Sequence, residues 1–228
     1  MAMARAKSTA VKTTRKPASV RTQDPEGTQR NILEIASEEF ALNGLSGARI
    51  DEIAARTRSS KRMIYYYFGD KEGLYLSALE NAYRTVREGE SKLDIGGLPP
   101  LEALRKLVEF TFDHHHKHAA FIRMLMIENI HHGEYLEKSK AIRGLNVTAI
   151  NTIDVVYARG VKEGLFREGL DPLELHWQIS ALCFFNVSNR ATFGKIFARD
   201  VGTPKAQKSL RKAVVDMVTH YVVRPEKL

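Results

Sequence analysis

One cysteine, Cys183, is all that 228 residues contain. A lone thiol excludes an intrachain disulfide and any cluster of thiolate metal ligands, which fits a reducing compartment and leaves Cys183 as a buried thiol. Long hydrophobic runs are missing as well. No stretch reaches the ~18–20 uninterrupted apolar residues of a membrane-spanning helix, and no apolar run follows the first N-terminal charges as it would in an export signal. A cytoplasmic protein with no membrane attachment is expected. Also absent are a glycine-rich phosphate loop, a nucleophile elbow and a paired His–Glu zinc motif, so neither an enzyme nor a bound cofactor is expected. What is present is an apolar fraction of 43%, enough for a packed core.

The formal charge of +8 suggests an anionic partner, but its placement matters more than its size. Residues 1–23 carry Arg5, Lys7, Lys12, Arg15, Lys16 and Arg21 and no acid. Removing those six from the 35 basic residues leaves 29 against 27 acidic ones, so most of the excess sits in this segment. Rich in Ala, Ser and Thr, it reads as a disordered basic arm, either a solubilising leader or a source of nonspecific phosphate contacts.

From about Glu26 a helical period begins. Ile32, Ile35, Ala36 and Phe40 recur at three and four residues, and Asn43-Gly44 is a left-handed stop signal. A short apolar set, Ile50, Ile53 and Ala54, follows, then the polar turn TRSS, then a short helix from Lys61 to Tyr67. Gly69-Asp70 breaks it, and Asp70 is placed to cap a fourth helix. Two short helices joined by a tight turn and braced by a longer one form a helix-turn-helix, whose second helix fits the DNA major groove. The charge agrees. Arg56, Arg58, Lys61 and Arg62 lie in seven residues without an acid, whereas residues 24–55 hold seven acids and two arginines.

The stretch SSKRMIYYYFGDKEGLY, Ser59 to Tyr75, sets rings among cations. A buried core accounts for rings alone and a solvated face for charges alone; phosphate oxygens and flat sugars account for both. Ile64 and Phe68 are expected to face inward, Tyr65 and Tyr67 outward, and Tyr66 is the tyrosine most suited to the core.

The segment EEFALNGLSGARIDEIAARTRSSKRMIYYYFGDKEGLYLSAL, Glu38 to Leu79, resembles the tetracycline-repressor (TetR) family of bacterial transcription regulators. The carriers are an aromatic and a glycine closing helix one, I-x-x-I-A in helix two, and S-K-x-x-I-Y-Y-Y-F followed by K-E-x-L. The resemblance implies DNA contacts from Arg49, Lys61, Arg62, Tyr65, Tyr67 and Lys71, and Arg58, where the sequence departs from the family, and Ser60 are added as candidate contacts. Two departures stand out. Ala48 occupies a place where the family often has a capping threonine or serine, making Ser46 the expected cap, and Arg58-Ser59 replace a frequent glycine and small apolar residue.

Beyond helix four, expected to reach about Lys92, the break GGLPP precedes amphipathic runs from Leu101 to about Lys117, Ala119 to His131, Tyr135 to Gly164, Pro172 to about Ala198, and Pro204 to Val223. No strand-period run competes. The fold class is therefore all-α: a basic arm over 1–23, a three-helix DNA-binding domain over 24–75, and a helical bundle for ligand binding and dimerisation over 76–228. The Pro172 run is apolar on more than one side, so it needs two partners. Together with the last helix it is the expected homodimer interface, as the resemblance also implies.

Within DHHHKH, His114 and His118 lie four apart, a chelating spacing, but a solvated helix end whose imidazoles suit the negative dipole accounts for them equally. No metal is expected. If the bundle holds a small-molecule pocket, His115, Phe121, Met124, Glu128, Asn151, Tyr157, Trp177 and Asn186 are its candidate walls. The expected function is a regulator that binds a double-stranded, palindromic DNA operator as a homodimer, usually as a repressor, and is released by an unidentified small effector. The rival keeps the DNA reader but gives the bundle to a protein partner or an architectural role.

Overall fold

The computed structural model describes residues 24–228; the basic arm assigned to 1–23 lies outside them. Three of the four early helices begin where a short polar side chain takes up an orphan backbone amide. Asp24 Oδ1 accepts from Gly27 N at 2.9 Å and Pro25 opens α1 (Pro25–Gly47), whose left-handed kink at Gly44 marks the stop signal read from the sequence. Ser60 Oγ accepts from Met63 N at 3.1 Å to start α3 (Lys61–Phe68). Asp70 Oδ1 accepts from Gly73 N at 2.7 Å to start α4 (Lys71–Ser91). Between them, α2 (Ile50–Thr57) has no side-chain cap. Ser46, the expected cap, is not used: Glu39 reaches across instead, and its Oε1 accepts from the Arg49 backbone N–H at 3.1 Å.

The remainder is α5 (Pro100–Lys117), α6 (Ala119–Ile130), the single turn α7 (Glu134–Glu137), α8 (Lys140–Lys162), α9 (Pro172–Ser188), α10 (Arg190–Ile196) and α11 (Pro204–Val222). Two runs read as continuous are divided. Ser139 caps α8 through Ile142 N at 3.1 Å and donates to Glu80 Oε1 at 2.6 Å, which stops α7 from running on. Asn189 ends α9, its side chain donating to Ser188 Oγ. Among the described residues the sole β-type pairing is an isolated bridge between Phe166 and Val223.

Two cores organise the chain. The bundle core joins α5, α8, α9 and α11 through Leu104, Val108, Phe112, Ile153, Val156, Ile179, Cys183, Val214 and Val218. Burial raises the Cys183 thiol to about 12, an inert thiol as read from the sequence. The other core holds Ile32, Phe40, Ile53, Ile64, Leu74 and Leu79 from α1–α4, and it also takes in Met124 of α6 and Ile142 of α8. The three-helix head is therefore packed onto the bundle rather than tethered to it. Its deepest polar contact is Tyr75 Oη donating to Glu128 Oε1 at 2.8 Å, while Glu128 Oε2 accepts from Leu136 N at 3.1 Å. Both side chains are buried, and the Tyr75 ring sits edge-on to Phe40 and to Tyr135.

Removing the hydroxyl in Tyr75→Phe strips a buried carboxylate of one donor. A loss of about 1.5–3 kcal/mol in unfolding free energy is expected, read from urea denaturation with an unchanged m-value.

Candidate nucleic-acid interface and bundle cavity

A helix whose Ile64 is fully buried must bury positions three and four further on, and α3 does so with Tyr67 and Phe68. Lys61, Arg62 and Tyr65 then face solvent, joined by Tyr66, which is 81% exposed. Two expectations are corrected here. Tyr66 is the outermost of the three tyrosines, not the core one, and Tyr67 is half-buried and stacks edge-on between Tyr66 and Phe68. The three- and four-residue spacing from Ile64 carried that signal. Arg49, Arg58 and Ser60 are exposed beside this face. Lys61 is ion-paired with Asp51 of α2, and Arg56 is paired with Glu38 and so directed toward α1. Lys71 sits at the start of α4, its Nζ donating to the Ser46 carbonyl at 3.1 Å. The outcome is an exposed cationic and aromatic face on α3, flanked by the capped starts of α3 and α4, whose chemistry suits a groove lined with phosphates.

Arg58 closes α2 in the left-handed region, φ 53°, a conformation costing a non-glycine residue on the order of 1 kcal/mol. Arg58→Gly should raise stability by roughly that amount and lower affinity for duplex DNA at modest salt, checked by thermal melts and a DNA titration on one preparation.

In the bundle, α4, α5, α6, α8 and α9 line an open-sided cavity of about 780 Å³, with Trp177 and Leu173 at its exposed rim. Its apolar wall is built by Val86, Phe121, Leu125, Ile150, Trp177 and Phe184, and its polar end by Arg87, Glu90, Thr111, His115, His176 and Ser180. Of the pocket candidates read from sequence, His115, Phe121 and Trp177 line it and five do not. Met124 and Glu128 belong to the interface under the head. Tyr157 Oη donates to the Arg167 carbonyl and accepts from Leu170 N, so it fastens a loop. Asn186 pairs with Gln207, and Asn151 faces solvent. Arg87, Glu90 and His176 were missed because isolated polar residues on an amphipathic helix read as its wet face.

Arg87 and Glu90 form an ion pair at 2.6 Å with side chains only 11% and 13% exposed. Burial lowers the arginine and raises the glutamate, each opposed by the partner's charge. His115 Nδ1 lies 2.7 Å from the Thr111 carbonyl, so Nδ1 carries the ring proton and Nε2 is the free acceptor. Burial holds this imidazole down at about 4 despite that bond, with the Arg87 charge adding to the effect. Burial also lowers His176.

His114, on the other side of α5, stacks on His118 with centroids 4.2 Å apart and is pushed down by burial to about 3. The helix-end reading is thus corrected, since desolvation outweighs the dipole for His114 and His115. Among the described residues no group of three or more His, Cys, Asp or Glu is placed to hold a metal ion.

In the unfolded chain the His115 imidazole titrates near its ordinary 6.5, so between 6.5 and about 4 the unfolded state binds more protons than the fold. Its contribution to stability is complete above that window and is lost as the pH falls through it. Urea midpoints should drop between about pH 7 and about pH 5, and His115→Gln should flatten the slope.

Comparison with known proteins agrees with this geometry. Residues 32–78 match the family described as "Bacterial regulatory proteins, tetR family", and residues 100–218 match "Tetracyclin repressor-like, C-terminal domain". The HTH-type transcriptional repressor NicS of Pseudomonas putida is 36% identical over 198 residues, covering 87% of this chain and 93% of that protein. The HTH-type transcriptional repressor SCO4008 of Streptomyces coelicolor is 35% identical over 113 residues, 49% of this chain and 54% of that one. Among solved structures, the transcriptional regulator SCO4942 of Streptomyces coelicolor superposes with a TM-score of 0.66 at 25% identity, over 87% of this chain and 99% of that chain. The chain belongs to the TetR family of bacterial transcriptional regulators.

Proposed function

We propose that the protein is a homodimeric repressor that reads a palindromic operator with α3 of each protomer and leaves it when a small effector enters the bundle cavity. The observation that carries this reading is the course of α4. Its first half supplies Leu74, Tyr75, Ala78 and Leu79 to the core under the DNA-reading face, and its second half supplies Tyr83, Val86, Arg87 and Glu90 to the cavity. One helix of 21 residues, about 30 Å long, thus spans both sites. An effector that binds better when the two heads are wrongly spaced weakens operator binding by that difference in affinity.

Residues 24–75 act as the reader and 76–228 as the ligand-binding and dimerisation part, in a cytoplasmic regulator that is not an enzyme. No helix among the described residues is long and apolar enough to cross a membrane. The dimer forms through α9 and α11, which leave Phe185, Met217 and Tyr221 exposed on the single chain. Two such heads can engage half-sites about 34–36 Å apart. The rival reading, a protein-controlled or architectural factor, calls for a solid bundle, and the cavity argues against it.

Selection of bound sequences from randomised duplex DNA should yield a palindromic consensus; a featureless pool at moderate salt would sink the reading. On that consensus, Lys71→Ala should weaken binding to all sequences alike and lower the salt slope by about 1, whereas changes at Lys61 or Arg62 should alter base preference at fixed positions.

A further inference from the structure

The polar end of the cavity is unevenly served. Arg87 Nη1 is held by one Glu90 oxygen, while its Nε is buried with no hydrogen-bond partner. Arg211 shows what a satisfied guanidinium looks like in this same fold: its Nε and Nη2 each lie 3.0 Å from an oxygen of Asp113. Donors of a buried cation that lack acceptors are costly, and a ligand able to supply two oxygens recovers that cost. The charges point the same way. Arg87 and Arg143 line the cavity against Glu90 alone, and both lining histidines are neutral near pH 7, so the wall carries a net positive charge. Arg87 and Glu90 neutralise each other, so the net charge rests on Arg143, and what distinguishes Arg87 is its unfilled N–H donors, which take an anionic acceptor and offer nothing to a cation.

Away from Arg87 the wall is ring-rich and apolar, with Phe121, Trp177 and Phe184 beside Val86, Leu125 and Ile150. Asn129 and Asn146 add polar groups to this wall but no charge, so it does not match a polyphosphate. Arg143, the second cation, lies on exposed chain, with Nη2 given to the Glu137 carbonyl at 3.1 Å, so the Arg87 donors that Glu90 leaves open are the shielded partners for one anionic group.

We propose that the cavity takes a small organic monocarboxylate with a flat, apolar body, its oxygens on the Arg87 donors that Glu90 leaves free and its body among Phe121, Trp177 and Phe184. The inference rests on the cavity being the effector site, and it narrows that effector to a chemical class. Glu90 is then the competitor that holds Arg87 in the empty state.

The full-length protein is titrated by calorimetry with benzoate and cinnamate, with benzamide as the neutral isostere and benzyltrimethylammonium as the cation. Emission of Trp177, the chain's single tryptophan, reports occupancy of the cavity itself. At least one carboxylate should bind about tenfold or more tightly than the amide and the cation. Arg87→Gln should abolish that preference, Arg87→Lys should keep part of it, and Glu90→Gln should tighten carboxylate binding by freeing the guanidinium. Circular dichroism on each variant separates lost binding from lost fold, and the lysine and Glu90 variants decide the matter should Arg87→Gln unfold. Equal binding of amide and carboxylate, no binding of either acid at millimolar concentration, or a cation preference lost in Glu90→Gln would overturn the assignment. Release from operator DNA is scored separately. Carboxylate binding without release leaves the ligand class standing and removes the effector reading, whereas release by the cation alone does the reverse.

Discussion

The hydrogen bond from Tyr75 to Glu128 is the point on which the architecture turns. It lies where α4 leaves the head and meets α6 of the bundle, with no water to substitute for either partner. Because the second oxygen of Glu128 is taken by the Leu136 amide, the carboxylate fixes three elements at once: α4, α6 and the turn α7. Met124 and Ile142 complete the joint with apolar surface from the bundle side. A head seated on such a joint cannot pivot freely. On the proposed reading, changes at the cavity, about two to four turns further along α4, reach the DNA face through a packed contact that has few arrangements to choose from.

Much of this was legible in the sequence where a local rule decided the outcome. Asp70 three residues before Gly73, Ser60 before the basic helix, and glycine at Gly44 act over a few residues of chain, so the head could be read closely. Legibility ended where two elements far apart in sequence decide which side of a helix is inside. Helix α6 is apolar nearly all round, and only its neighbours assign Phe121 to the cavity and Met124 to the joint. Tyr157 and Asn186 look like pocket residues until their partners, the Arg167 carbonyl and Gln207, are seen to occupy them. Arg87 is the converse case. A charged residue on an amphipathic helix reads as exposed, and it takes helices from both halves of the chain to bury it.

The ion pairs at the two proposed sites sit in opposite environments. Lys61 and Asp51 are both about half-exposed, so their attraction is weak and screened, and Lys61 is free to exchange Asp51 for a phosphate at small cost. Arg87 and Glu90 are shielded, so exchange there demands a partner of equal charge and good geometry. On the proposed reading, the surface pair lets Lys61 sample DNA rapidly, and the buried one imposes selectivity on what can replace it.

The contact between Lys71 and the Ser46 carbonyl ties the first residue of α4 to the chain just before α2. With Asp70 capping one end of α4 and Ser60 capping α3, the head is braced on three sides and keeps its shape when α4 tilts. The two heads of a dimer then behave like the legs of a pair of dividers: the points stay sharp while the gap between them is reset. A repressor built this way does not go blind when induced. On the proposed mechanism it would keep its grip on any single half-site and on bulk DNA and lose only the gain from engaging two half-sites together, so the induced protein would stay near the chromosome, ready to return once the effector is gone.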